Sequence, residues 1–123
     1  MILIGDKLVP FDEITPIVHV AQIENTKANT CISFGYNEEI LIYTSKNEIE
    51  TAVEVSNIKE AIYSNALNAK YILANKTLAK ELQKIAENYM FDSKILAIIE
   101  SSDEIEEIAL NEIDGVIYKN LLD

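Results

Sequence analysis

The sequence predicts an α/β fold, an open, doubly wound, mainly parallel sheet of five strands. Three observations lead there. Apolar, strand-like runs begin near residues 31, 51, 71, 95 and 115. The intervals, about twenty residues each, carry helical periodicity, which is the grammar of βα repeats. The clearest unit is Lys94 to Asn120, where strand, helix and strand follow one another. Two strands joined through a helix run parallel with a right-handed crossover. Five such strands favour the order 2-1-3-4-5, with half of a βα barrel as the alternative.

Residues 1–29 read as an N-terminal extension packed on the domain formed by residues 30–123. Ile2 to Ile4 and Leu8-Val9 flank Gly5-Asp6, which predicts a small hairpin. Pro10 and Pro16 bracket a connection anchored by Phe11 and Ile14. Ile17 to Val20 suits a short strand, and Gln22 to Lys27 a helical turn or two. This extension is expected to cover a sheet edge or to pair with a second copy of the chain, because exposed edges invite pairing.

From Thr30 the pattern is regular. Cys31 to Phe34 is a strand, broken by Gly35 and Asn37. Residues 38–46 place Glu38 and Glu39 first and Lys46 last, the order a helix dipole favours. A hairpin over 31–44 is the competing reading, since Ile40 to Thr44 is rich in strand formers. The helix is preferred because later units repeat it. Thr51 to Val55 is a strand. Asn57 and Glu60 have capping-box spacing before the face Ile58, Ala61, Ile62 and Ala66. Tyr71 to Ala74 is a strand, and Leu78, Leu82, Ile85, Ala86 and Tyr89 make the longest amphipathic helix. Ile95 to Ile99 suits a strand buried on both faces. Ser101 and Glu104 form a second capping-box pair before Ile105, Ile108 and Ala109. Asn111 is expected to end that helix in the left-handed conformation. Asp114-Gly115 then leads into Val116 to Tyr118. Ala66-Leu67-Asn68 and Ala109-Leu110-Asn111 echo one another, which reads as shared helix-end chemistry.

The chain has 123 residues, enough for one domain with a real core, and a net charge of −11 from 21 acids and 10 bases. Every base is lysine. That balance weighs against nucleic acid, whose phosphates demand a basic footprint. No apolar run approaches a membrane span, and the N-terminus lacks a secretory pattern. Cys31 is the sole cysteine and cannot form an internal disulfide, so a cytoplasmic location and an inert, buried thiol are expected. His19 is the sole histidine and supplies neither a multi-histidine metal site nor an acid–base pair. Glycines stand only at 5, 35 and 115, so no Gly-rich phosphate loop is present.

With the repeat in place, residues 30–120 resemble a response-regulator receiver domain, a flavodoxin-like fold. KILAIIESSDEIEEIALNEIDGVIYKNL looks like that family's fourth strand, fourth helix and fifth strand. The resemblance implies that Ser101 and Lys119 match the groups that read phosphoryl oxygens. The acidic pair would fall near Tyr36 and Asn37, followed by Glu38 and Glu39. The phosphoacceptor position falls on Asn75, an amide with no carboxylate nucleophile. Asn120 stands where the family usually has proline, and no fifth helix follows. The resemblance therefore implies a degenerate receiver-like module, unable to be phosphorylated at the usual position.

Asn37, Asn57, Asn75 and Ser101 all stand where a helix begins after a strand. They are ordinary N-caps, each contributing on the order of 1 kcal/mol. The same positions lie at the carboxyl ends of the strands, where open α/β sheets bind ligands. Asn37, Asn75, Ser101 and Lys119 are thus the candidate ligand-binding set, with no catalytic residue, metal ligand or cofactor assigned. The leading expectation is a non-enzymatic interaction module with a protein partner or self-association. The alternative is a small-molecule or anion-binding protein, or an enzyme, with its site at the strand ends. A residual Mg²⁺ site at Glu38 or Glu39 is a third reading, weakened because adjacent helical residues do not face one point.

Overall fold

The computed structural model describes residues 1–123. Seven strands form one all-parallel sheet: β1 (Ile2–Ile4), β2 (Ile14–Pro16), β3 (Cys31–Gly35), β4 (Thr51–Glu54), β5 (Tyr71–Ala74), β6 (Lys94–Ile99) and β7 (Gly115–Tyr118). Four helices connect the last five strands: α1 (Glu38–Lys46), α2 (Ile58–Ala66), α3 (Lys76–Asn88) and α4 (Ile105–Leu110). The βα repeat is as expected, and residues 38–46 are helix rather than hairpin.

The strand count and order differ from expectation. Seven strands replace five, and their order is β1-β7-β6-β5-β4-β3-β2. From β2 to β7 each strand lies beside its successor, so the 2-1-3-4-5 order of a doubly wound sheet is absent. Right-handed crossovers between consecutive neighbours must all pass on one face. Accordingly Ile40, Leu41, Ala61, Leu82 and Ile108 of the four helices join Ile32, Val53, Ile72, Ile95 and Val116 in one large core.

The opposite face has no helix, yet it is buried. Ala52, Leu73, Leu96 and Ile117 have no exposed surface, and Ile4 and Cys31 pack with them. A flat sheet would leave that face in water, so the sheet must curl on itself. Leu121 and Leu122, in the turn Lys119–Leu122, pack against this inner cluster, and that turn also reaches β2. The sheet is thus curled and all-parallel with its helices outside, nearer to the half of a βα barrel that the sequence offered as its alternative than to a doubly wound sheet.

The N-terminal hairpin does not form. β1 pairs with β7 and β2 pairs with β3, at opposite edges of the sheet. Leu8 and Val9 are not strand, and Ile17 to Val20 is not one either; Val20–Asn25 is a 3-10 turn. Pro16 lies inside β2, which an edge strand permits. The amides of Cys31 and Ile17 exchange with the carbonyls of Glu13 and Ser33 across the ladder, so Pro16 lacks its N–H on the outward side. Gly115 allows β1 to close on β7: a Cβ there would lie 2.3 Å from the Ile2 carbonyl oxygen.

All four helices end alike. Glu48, Asn68, Met90 and Glu112 have positive φ. The amides of Ile49, Ala69, Phe91 and Ile113 reach back to the carbonyls of Thr44, Ser64, Ala86 and Ile108. This is the Schellman arrangement, repeated four times with a residue other than glycine at the left-handed position. Asn111 is not that residue: its φ is −87° and Glu112 takes the role. The echo between 66–68 and 109–111 is therefore shared helix-end chemistry offset by one residue. No helix is long and apolar enough to cross a membrane.

Candidate functional site

The four residues singled out from sequence lie at the carboxyl ends of β3, β5, β6 and β7, as their spacing requires. Each is engaged locally. Asn37 Oδ1 accepts the Ile40 N–H at 3.0 Å, and Asn75 Oδ1 accepts the Leu78 N–H at 2.8 Å. Ser101 Oγ accepts the Asp103 N–H at 3.2 Å, and Glu104 closes the box by accepting the Ser101 N–H at 3.0 Å. These are N-caps in the ordinary sense. Lys119 Nζ lies 3.5 Å from Glu100 Oε1, and Lys76 lies 3.0 Å from Glu104 and 3.3 Å from Glu107. The backbone N–H of Glu100, followed by Lys76, holds the Glu104 carboxyl below its usual range. Both lysines at this end of β5–β7 already face carboxylates, which leaves little positive charge for an anion.

A cleft opens instead over the carboxyl ends of β2, β3 and β4. Its inner lobe holds about 300 Å³, between Pro16, Ile17 and Val18 on one side and Leu73 and Leu122 on the other. Ser33, Gly35 and Glu54 are also part of its lining. An outer lobe shares Gly35 and Glu54 and continues past Tyr36 and Asn37 to Ser56 and Glu60. Of the four sequence candidates, Asn37 alone lines these two lobes; Asn75, Ser101 and Lys119 lie elsewhere.

Why the cleft sits here follows from side-chain size. On the inner face β5, β6 and β7 place Leu73, Leu96 and Ile117, whereas β3 and β4 place Cys31, Ser33, Gly35 and Ala52. Small residues leave unfilled space at the mouth of the curled sheet. Gly35 makes this explicit, since a Cβ built on it meets nothing within 4 Å. Glu54 is directly opposite Gly35 in the ladder, and Ser33 is opposite Ala52, one inner-face step deeper.

Ser33 is the unusual group. It is 2 % exposed, and its hydroxyl has no hydrogen-bond partner. An orphaned buried hydroxyl costs about 1–3 kcal/mol. No base is bonded to it, so it is not an activated nucleophile of the kind hydrolases use. Thr51 Oγ1 is likewise unpartnered, but it does not line the cleft. Nearby, burial and then Glu38 raise the Tyr36 phenol above its ordinary value. Cys31, one inner-face step below Ser33, is pushed up to about 12, chiefly by burial.

Sequence reasoning missed Ser33, Gly35 and Glu54. The signal was present: a hydroxyl and a glycine at alternate positions of an otherwise apolar strand. No family model matches this sequence, and no curated protein matches it significantly.

Proposed function

We propose that this chain binds a small organic molecule in the cleft over β2, β3 and β4, without catalysing a reaction on it. One observation carries the reading: Ser33, whose hydroxyl is buried and unpartnered, is a lining residue of a cavity at the mouth of the curled sheet. Natural proteins leave few such groups, and a ligand is one partner that would repay the desolvation. The position also obeys the rule that parallel sheets bind ligands at the carboxyl ends of their strands. The cavity is at the small end of ligand pockets, so the ligand is of metabolite size. Cys31, buried and without a second cysteine, suits a reducing compartment such as the cytoplasm.

Two variants test this. Ser33→Ala should raise stability by about 1 kcal/mol in urea unfolding, since it deletes an unsatisfied group. Gly35→Val should leave stability near wild type, because its side chain enters open space. Both should weaken ligands found by NMR in a panel of small alcohols, amides, carboxylates and amines. A Ser33→Ala protein less stable than wild type, or hits indifferent to Gly35→Val, would overturn the reading.

A protein-interaction role is the second reading, and one observation favours it. Tyr89, Met90 and Leu110 are 75 %, 85 % and 84 % exposed, at the carboxyl ends of α3 and α4. Self-association through them should raise the apparent mass in light scattering as concentration rises, and Met90→Lys with Leu110→Lys should prevent it.

A further inference from the structure

We infer that the cleft selects an organic cation, an ammonium group carried on a short apolar body. This rests on the ligand-binding reading above and specifies its chemistry. The walls of the inner lobe are apolar on both sides, through Ile17 and Val18 against Leu73 and Leu122. The charged side chains that remain are of one sign, set among the amides of Gln22 and Asn37 and the hydroxyls of Ser33, Tyr36 and Ser56. Glu54 belongs to both lobes, Glu60 to the outer lobe and Asp123 to the inner one, and no lysine lines either. A carboxylate only accepts hydrogen bonds, and a hydroxyl offers two lone pairs. The Ser33 hydroxyl has no donor from the protein, so a donor-rich, positively charged head group complements both.

The ladder sets the geometry. Glu54 stands opposite Gly35, and Ser33 precedes Gly35 by one step on the same face of β3. A head group above Gly35, where no side chain intrudes, would face the carboxylate across β4 and the hydroxyl below it. Glu60 contributes less, since its Oε1 already accepts the Ser56 N–H at 2.8 Å. The net charge of −11 adds long-range attraction for cations and repulsion for carboxylates.

The test uses the full chain and three probes with one body and different heads: n-butylammonium, n-butanol and n-butanoate. Binding is read from amide shifts of Ser33, Gly35 and Glu54 in ¹⁵N-labelled protein. Butylammonium should bind tightest, about fivefold better than butanol, as expected for an ion pair on an exposed carboxylate. Glu54→Gln should erase that preference while butanol affinity stays unchanged, and added salt should shrink it. Butanol or butanoate binding as well as the ammonium at those amides would overturn the cation assignment and leave the cleft intact. Shifts at those amides from none of the three would overturn the cleft reading as well.

Discussion

Every strand from β3 to β7 is paired on both sides, whereas β1 and β2 each pair on one side only. The two regions also differ in what holds them. The βα units bury Leu41, Leu82, Ile95 and Ile108 completely, and their hydrogen bonds are largely local or between neighbouring strands. The N-terminal segment has two three-residue strands, a connecting loop with Leu8 at 91 % exposure, and a few side-chain ties. One of them joins Asp6 to Tyr118 across 112 positions of sequence. Local structure is thus strong where the chain repeats. At the β1 edge the chain depends on β7 and Tyr118, at the far end of the sequence. Such long closures cost entropy before they return contacts.

The largest effect expected from this contrast is in the inner core. Leu96→Ala should cost about 2–5 kcal/mol in denaturant unfolding, because the curled face leaves no water or helix to fill the cavity. Leu8→Ala should change stability by less than about 0.5 kcal/mol. Equal losses would show that the closing loop carries core energy. Next comes Gly115→Ala, which pushes a methyl into the Ile2 backbone. Overpacking of this kind costs about 1–3 kcal/mol. Hydrogen exchange should quicken at Ile2, whose amide bonds to the Asp114 carbonyl, while β4 and β5 keep their protection. Loss spread evenly over the sheet would mean that β1 is no separate unit.

The same division governs what could be read in advance. The strands read at 31–34, 51–55, 71–74, 95–99 and 116–118 and the last three helices follow from periodicity and caps, because those signals are local, whereas the helix at 38–46 is preferred to a hairpin only because later units repeat it. β1 and β2 are too short for periodicity and are defined by their partners, β7 and β3. The strand order was illegible for a different reason. Right-handed crossovers and continuous apolar strands serve a doubly wound sheet, with helices on both faces, as well as a curled one that buries its inner face in itself. Asn37, Asn75 and Ser101 were legible as caps and not as a joint site, since the strand ends that carry them do not converge on one hollow. Ser33 and Glu54 become a pair only once β3 and β4 are in register.

A smaller effect, with the opposite sign, belongs to the repeat. Met90 occupies the left-handed position after α3 with φ of 52°, and its side chain is 85 % exposed. Met90→Gly removes backbone strain and loses almost no packing. It should raise stability by about 0.5–1 kcal/mol in thermal unfolding. A loss would show that the Met90 side chain packs where it looks free.

The mildest test is of the closure itself, by pH. The Asp6 carboxylate accepts the Leu8 N–H and the Tyr118 O–H, both at 2.8 Å. The Leu8 amide and then the phenol lower the Asp6 pKa from its ordinary 3.8, and Asp6 raises that of Tyr118 from 10.0. The lowered carboxyl contributes stability present above 3.8 and lost as pH falls through its folded value. The raised phenol contributes stability present below 10.0 and lost as pH rises through its folded value. Protease cleavage within residues 5–13 should therefore be slowest between those limits and faster on both sides. Tyr118→Phe should abolish the alkaline limb and only weaken the acid one, because the Leu8 amide still holds Asp6. If the alkaline limb survives in Tyr118→Phe, another group ties the loop down. If both limbs are flat in the wild type, the Asp6–Tyr118 bond does not fasten the N-terminal segment, and packing of Leu121 beside Gly5 is left as the closure.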